Sequence, residues 1–140
     1  MFVDRRSKTS VRQDIRIAAE LLSQGFTVVL FPEATSSSGE SVLPFKSSLM
    51  QAAFETKAEI IPACFNYISI DGEQLSTQNR DSVFYYGDMQ FLDHFLGLLR
   101  LSSIHVELIF LENIRAKSTH RKSAAALAFS NISSAFISIQ

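Results

Sequence analysis

Cysteine, glycine and proline are scarce in this sequence of 140 residues. Cys64 is the only cysteine, which excludes an internal disulfide and a cysteine-rich zinc site. Five glycines and three prolines are too few for a collagen-like or linker-like chain. Charge of neither sign is in excess, because 13 Lys and Arg residues stand against 14 Asp and Glu residues. The chain as a whole is therefore not an electrostatic nucleic-acid binder.

A secretory signal and a membrane-spanning segment are not predicted either. Residues 1–6 carry Asp4, Arg5 and Arg6 where a signal peptide has its apolar region. Residues 123–140 are uncharged, but their polar and apolar side chains fall on opposite sides of a helical wheel, as in an amphipathic helix. With 46% hydrophobic and 19% charged residues, the composition is typical of a globular protein. We expect a single domain over residues 1–140.

Helix-type and strand-type patterns alternate along the chain. Ser10 and Gln13 have the spacing of a capping box, Gly25 suits a helix end, and Asp71-Gly72 indicates a tight turn. The elements predicted in order are a helix at 10–25, strand 26–31, helix 45–53, strand 59–66, a short strand at 83–86, helix 91–99, strand 105–111 and a final helix capped by Thr119. Strands separated by helices predict an α/β fold with a layered, mainly parallel sheet flanked by helices.

The segment Phe31-Pro32-Glu33-Ala34-Thr35-Ser36-Ser37-Ser38-Gly39 places an acid, four hydroxyls and a glycine directly after a predicted buried strand. In open α/β sheets, ligands bind outside the carboxyl ends of strands. Short hydroxyl side chains and free backbone N–H groups at such a position can donate hydrogen bonds to a phosphate. The alternative interpretation is a solvated turn rich in serine and glycine.

Basic residues are concentrated near the start of the chain. Arg5, Arg6, Lys8, Arg12 and Arg16 account for five of the 13 basic residues. The planar guanidinium of arginine pairs bidentately with phosphate, so one of them is a candidate anion ligand. Arg12 and Arg16 have the i, i+4 spacing of a solvated helix face, whereas Arg5 stands at the end of a predicted strand. Arg5 is therefore the strongest candidate.

Three blocks of the sequence resemble, in order and spacing, the glycerolipid acyltransferase family, and most of all its 1-acylglycerol-3-phosphate (lysophosphatidic acid) acyltransferases. The blocks are Phe2-Val3-Asp4-Arg5, Phe31-Pro32-Glu33-Ala34-Thr35-Ser36 and Ile60-Ile61-Pro62-Ala63. The stretch Val42-Leu43-Pro44-Phe45-Lys46 is also similar to that family. The resemblance implies a glycerol-3-phosphate acyltransferase-like fold and acyl transfer to a lysophospholipid hydroxyl.

The resemblance also implies roles for individual residues. Arg5 corresponds to an arginine that contacts the substrate phosphate, and Glu33, Ala34 and Thr35 correspond to a Glu-Gly-Thr motif that lines the acceptor pocket. Ala34 replaces the usual glycine, which matters if the backbone there needs a positive φ. Ser36 stands where many members carry arginine. The remaining motif positions have structural roles: Phe31, Pro32, Gly39 and Pro62.

The family's catalytic block, a histidine followed five residues later by an aspartate, does not occur in this sequence. The residues five positions after His94, His105 and His120 are Leu, Phe and Ala. The histidine of this dyad acts as general base and the aspartate orients it. Because residues 2–5 read as the end of a strand, we expect an N-terminally incomplete domain, the C-terminal portion of a longer protein, with the dyad upstream of Met1. Cys64, in an apolar strand, reads as a packing group.

The resemblance further implies acyl-CoA or acyl-carrier protein as co-substrate and no cofactor. We expect no metal, because Asp81, Asp88 and Asp93 lack metal-type spacing, and no nucleic acid, because the charge is balanced. The broad apolar face at residues 91–101 is typical of a core helix, and the alternative is contact with a lipid surface. Since lysophospholipids reside in bilayers, we expect a peripheral protein at the cytoplasmic face of the membrane. The alternatives to an enzyme are a non-catalytic module that binds anionic lipid or phosphate, and an inactive fragment.

Overall fold

The computed structural model describes residues 8–48, 50–116 and 120–139. Helices and short strands follow one another along the chain. The helix predicted at 45–53 begins only at Gln51, and the strand predicted at 59–66 is interrupted at Ile61-Pro62, where proline has no N–H to donate. The elements are α1 (Lys8–Ser23), α2 (Gln51–Thr56), β1 (Glu59–Ile60), β2 (Ala63–Ile70), β3 (Glu73–Gln74), a 3₁₀ turn (Arg80–Ser82), α3 (Phe91–Leu98), β4 (Ile104–Phe110), β5 (Ile114–Arg115) and α4 (Arg121–Ala135). The Thr119 cap lies outside the described residues.

The central sheet has the strand order β3-β2-β4. Strand β4 lies antiparallel to β2 from Ala63↔Phe110 to Ile70↔Ile104, with an irregularity between Tyr67 and Ser69. Asp71 and Gly72 both have positive φ, 51° and 84°, as a two-residue type I′ hairpin turn requires. Asp71 Oδ1 also accepts hydrogen bonds from the backbone N–H of Ser102 and Ser103, at 2.8 and 2.7 Å. The predicted turn is confirmed, and the Asp71 side chain ties it to the residues that lead into β4.

The expected mainly parallel sheet is not found among the described residues, where every ladder is antiparallel. Strands β2 and β3 are antiparallel because a two-residue turn joins them, whereas a parallel pair needs a crossover of a dozen or more residues. The mixture of helices and sheet expected for an α/β protein is confirmed, whereas the parallel, layered arrangement is not.

The strand predicted at 26–31 is also absent. No described strand pairs with this segment, so its backbone forms no ladder. Phe26, Val29 and Phe31 are 59%, 74% and 69% exposed. Residues 83–86 likewise belong to no ladder within the described ranges. An apolar, β-branched run becomes a strand only where a partner strand lies beside it.

The core lies between α4 and the β1–β5 pair. Small residues of α4 allow close approach, and Ala124, Ala125 and Ala128 pack with Met50 and Ile114. Phe45 meets the Phe129 ring edge to face at 5.4 Å. These contacts fix the chain that leads from residue 45 into α2.

Helix α3 is not a core helix, contrary to the interpretation the sequence favoured. None of its residues is buried, and four of its five apolar side chains, Phe91, Leu92, Phe95 and Leu96, are exposed. Of the helices described here, none is long and apolar enough to cross a bilayer.

Candidate functional site

The segment after Phe31 forms a loop that is closed by hydrogen bonds at its base. The N–H of Ala34 donates to Phe31 O at 3.1 Å, and the N–H of Lys46 donates to Pro32 O at 2.8 Å. The Glu33 carboxylate accepts a hydrogen bond from the Leu43 N–H at 2.8 Å. Glu33 is half-buried, and its side chain therefore ties the two arms of the loop together. We call residues 33–43 the motif loop.

Ala34 adopts a left-handed backbone conformation, with φ of 58°. The resemblance gives glycine at this position, and the substitution matters only where φ is positive. That condition is met here. A residue with a Cβ pays about 1–2 kcal/mol in this region because the Cβ approaches the following carbonyl oxygen. The motif loop is therefore held in a conformation that its sequence does not favour locally.

The hydroxyls at the tip of the motif loop are largely free for a ligand. Thr35 and Ser36 are exposed. Thr35 Oγ1 makes a long hydrogen bond of 3.4 Å to Ser36 O, and Ser37 Oγ accepts from the Gly39 N–H at 3.4 Å. The Ser36 hydroxyl has no hydrogen-bond partner among the described residues. Neutral hydroxyl donors in an exposed turn are suited to an anionic head group.

Gly39 anchors the far side of the motif loop. It is buried with φ of 75°, and a Cβ there would lie 2.7 Å from both Ile139 Cδ1 and Phe84 Cζ. Glycine is required for both reasons, since the conformation is left-handed and the space is filled. The neighbouring Glu40 carbonyl accepts a hydrogen bond from Ser138 Oγ at 2.8 Å. The C-terminal tail thus packs directly against the motif loop.

Arg80 holds the motif loop from a third direction. Its guanidinium, in a side chain only 17% exposed, pairs with the Glu40 carboxylate and lies 5.6 Å above the Tyr86 ring. The hydrogen bond to Glu40 raises the pKa of Arg80. Tyr86 O–H donates to Asp81 at 2.6 Å, which raises the pKa of Tyr86, and burial acts in the same direction. Sequence reasoning missed Arg80, which lies in a stretch that reads as a polar surface connection.

The other predicted site residues lie outside residues 33–43. Pro62 is buried at the β1–β2 junction, where its carbonyl accepts the Leu111 N–H at 2.9 Å. Phe31 lies 6.5 Å from the Phe65 ring, which brings the start of the loop to the edge of β2. Arg5 lies outside the described residues, so its convergence with Glu33 on one anion stays a prediction.

Arg12 and Arg16 lie on an open groove between α1 and α2, of about 380 Å³ and lined also by Ile15, Gln51 and Glu55. Arg16 pairs with Glu20 at 3.3 Å in the exposed i, i+4 geometry. Such surface pairs contribute little to stability. Arg16 therefore lies on a solvated helix face, as its i, i+4 spacing with Arg12 indicates.

The remaining nucleophile and base candidates have structural surroundings. Cys64 is buried, and burial together with the charge of Glu107 raises the pKa of its thiol. Its Sγ lies 3.5 Å from Asn66 Oδ1. His94 is half-buried, with its ring 5.5 Å from that of Tyr85. His105 and His120 are exposed. No group of three metal-ligating side chains is found in the described part of the chain.

Comparison with known proteins gives one consistent result. A sequence model of the acyltransferase family matches residues 1–66. The lyso-ornithine lipid O-acyltransferase of Brucella abortus is 36% identical over 135 residues, which cover 89% of this chain and 50% of that protein. The corresponding enzyme of Rhizobium meliloti is 30% identical over 81% of this chain and 41% of its own length.

Another relative is named for a different acyl acceptor. The 1-acyl-sn-glycerol-3-phosphate acyltransferase of Neisseria gonorrhoeae is 34% identical over 53% of this chain and 29% of its own length. The chain spans half or less of the length of each of these three proteins. No solved structure matches it. The matches agree with the three sequence blocks, and the chain belongs to the glycerolipid acyltransferase family.

Proposed function

We propose that the protein transfers an acyl group from acyl-CoA or acyl-carrier protein to the free hydroxyl of a lysophospholipid of the 1-acylglycerol-3-phosphate type, and that this chain supplies the acceptor-binding part. The observation that supports this most is the motif loop. Its base is fixed by Glu33, and its exposed tip presents the Thr35 and Ser36 hydroxyls. The names of the relatives, all lyso-lipid or acylglycerol phosphate acyltransferases, support the reaction class.

The proposed reaction is an ester-forming exchange. The acceptor hydroxyl oxygen forms a bond to the acyl carbon, the carbon–sulfur bond of the donor breaks, and the hydroxyl proton passes to the departing thiol. The described residues take no covalent part in this step. Thr35 and Ser36 bind head-group oxygens, while Glu33 and Arg80 hold the loop in place. The family resemblance gives the general base role to a His–Asp dyad, a pattern that the printed sequence does not contain.

Two acceptor classes fit the uncharged, hydroxyl-bearing tip of the motif loop. A phosphate head group is dianionic, whereas ornithine presents both a carboxylate and an ammonium group. Ser36 carries no charge where many family members have arginine, so the motif loop itself contributes less attraction for a phosphate than an arginine does. Both acceptors therefore belong in the test.

We propose that the reaction needs no resident cofactor and that the acyl donor is a co-substrate. We also propose that the protein acts as a peripheral protein at the cytoplasmic face of the membrane.

The test is acyl transfer from labelled acyl-CoA and acyl-carrier protein to 1-acylglycerol-3-phosphate and to lyso-ornithine lipid. The printed chain is compared with the same chain preceded by any coding sequence found before Met1. We expect ester product from at least one acceptor, with a raised KM in a Thr35→Ala, Ser36→Ala variant. The Ser133→Ala variant, at an exposed position of α4 outside the motif loop, is the matched control. Absence of product from both proteins with both acceptors contradicts the enzyme proposal.

The second candidate is a non-catalytic module that binds an anionic lipid through the exposed Thr35 and Ser36 hydroxyls, since such binding needs no His–Asp dyad. It is distinguished by binding without turnover. Sedimentation with phosphatidic acid vesicles, compared between the wild-type chain and Arg5→Ala, measures that binding. Product formation in the assay above excludes this candidate.

A further inference from the structure

Helix α3 presents its apolar side to solvent. Phe91, Leu92 and Leu99 are 64%, 64% and 66% exposed, and Phe95 and Leu96 are 41% and 45% exposed. These five side chains fall on one side of the helical wheel, and we call them the α3 face. The opposite side, with His94, Gly97 and Leu98, is half-buried against the body of the protein. A water-exposed surface helix normally has the reverse orientation.

The orientation is fixed by contacts and does not reflect a loosely attached helix. The His94 ring lies 5.5 Å from that of Tyr85, and α3 packs beside the Arg80–Ser82 turn. On the α3 face, the Phe91 and Phe95 rings stack at 5.8 Å, and Tyr85 meets Phe91 edge to face at 5.9 Å. The exposed side chains therefore form one continuous surface.

The size of the α3 face argues against a second copy of the chain as its occupant. With aromatic side chains presenting about 150–250 Å² each, the exposed fractions correspond to a patch on the order of 500 Å². Two such faces packed together bury about 1,000 Å², below the roughly 1,200–2,000 Å² of a stable protein interface. A lipid monolayer has no such requirement, because a short helix need only immerse its apolar side chains.

The chemistry of the α3 face also fits lipid. The only charged residue within α3 is Asp93, which lies on the side of the wheel opposite the α3 face, and Arg100 follows the helix and is exposed. Aromatic rings and leucines bordered by polar groups are typical of helices that lie in the plane of a membrane interface. We propose that the α3 face inserts into the outer acyl region of a lipid monolayer and holds the protein on a membrane. This rests on the proposed function in one respect, that a lipid acceptor places the substrate in a bilayer.

The absence of tryptophan from the sequence allows a direct test. A Leu92→Trp variant carries a single fluorescent reporter on the α3 face, and Leu127→Trp carries one at a 49% exposed apolar position of α4. With phosphatidylcholine vesicles, we expect emission from the Leu92→Trp variant to shift to shorter wavelength and to be quenched by lipids brominated on their acyl chains. Emission from the Leu127→Trp variant is expected to stay unchanged. Equal shifts, or none, overturn the proposal.

A pair of substitutions measures the contribution of the α3 face to binding. The Leu92→Ser, Phe95→Ser double variant is expected to partition onto phosphatidylcholine vesicles about tenfold or more weakly, because two apolar side chains lose their burial in lipid. Val29→Ser with Leu127→Ser is the control, since both positions are exposed and apolar elsewhere. Binding is expected to persist in 1 M salt, and loss of binding in salt overturns the proposal.

Two further outcomes separate this proposal from others. A blue shift of Leu92→Trp that depends on protein concentration and needs no vesicles assigns the α3 face to a second copy and overturns the lipid assignment. Vesicle binding through α3 without acyl transfer leaves this inference standing while the proposed function fails. If the double variant transfers the acyl group to a vesicle-embedded acceptor as fast as the wild-type chain, the inference is overturned and the proposed function stands.

Discussion

The side chain of Asn66 holds the backbone of Ile137, 71 residues further along the chain. Asn66 Oδ1 accepts the Ile137 N–H at 3.0 Å, and Asn66 Nδ2 donates to Ala135 O at 3.0 Å. Asn66 is fully buried in β2, so both hydrogen bonds are shielded from water. They fix the tail after α4, whose Ser138 and Ile139 contact the motif loop. The sheet is therefore coupled to the candidate site through one amide side chain.

We expect Asn66→Ala to lower the free energy of unfolding by about 1–3 kcal/mol, because it leaves the Ile137 N–H and the Ala135 carbonyl without a partner. Urea denaturation measures the change. Asn113→Ala is the matched control, since the hydrogen bond from Asn113 to Glu59 is exposed and its loss is expected to change stability by less than about 0.5 kcal/mol. Equal effects of the two substitutions contradict the assigned role of Asn66.

Ala34→Gly is expected to stabilise the protein by about 0.5–1 kcal/mol. The left-handed conformation of Ala34 costs about 1–2 kcal/mol, and the greater freedom of glycine in the unfolded chain offsets part of that gain. Thermal unfolding checks the sign. In the exposed middle of α4, Ala126→Gly should do the opposite and lower stability by about 1 kcal/mol. A loss of stability in both variants would contradict the strain assigned to Ala34.

Local sequence chemistry identified the turn at Asp71-Gly72 and the motif loop, because each depends on residues that are neighbours in the chain. The same reasoning gave strand 26–31 and a parallel sheet, since apolar periodicity reports burial and does not specify a pairing partner. It also assigned α3 to the core, because a helical stripe shows which side is apolar and not what covers it.

The contacts that hold the motif loop could not be predicted from the sequence. Arg80 meets Glu40 across 40 residues, and Ser138 meets Glu40 across 98. No spacing rule links such distant positions. The two hydrogen bonds of the Asn66 side chain could not be predicted for the same reason, because an asparagine in an apolar strand gives no indication that its partners lie at the end of the last helix and beyond it.

Gly39→Ala should destabilise the protein more than Gly25→Ala. Both glycines have positive φ, 75° and 86°, and both substitutions introduce backbone strain. A Cβ added at position 25 would have no described neighbour within 4 Å, whereas a Cβ at position 39 would lie 2.7 Å from Phe84 and Ile139. Overpacking adds about 1–3 kcal/mol to the cost, which urea denaturation resolves as the difference between the two variants. Equal losses would show that the neighbours move aside freely.

The Cys64 thiol is expected to resist alkylation in the folded protein at mildly alkaline pH. Burial raises the pKa of the thiol, so the reactive thiolate is scarce in the native state. Because the folded pKa lies above the unfolded value, the free energy of unfolding should fall as pH rises past the ordinary pKa of a thiol. Cys64→Ala is expected to remove that part of the pH dependence. Rapid native-state labelling at pH 8 would contradict this account.

Ser36→Arg tests the acceptor preference of the motif loop. Ser36 is exposed, and its hydroxyl has no partner among the described residues, so the longer side chain is expected to be tolerated. A guanidinium there adds a charge-assisted hydrogen bond to phosphate, and we expect about tenfold tighter binding of 1-acylglycerol-3-phosphate. Binding of lyso-ornithine lipid should change less, because its ammonium group is repelled. Titration calorimetry with both lipids measures the two affinities, with Ser133→Arg, at an exposed position of α4 outside the motif loop, as control. If Ser133→Arg gives the same gain, the effect is general surface charge, and the motif loop is not the head-group site.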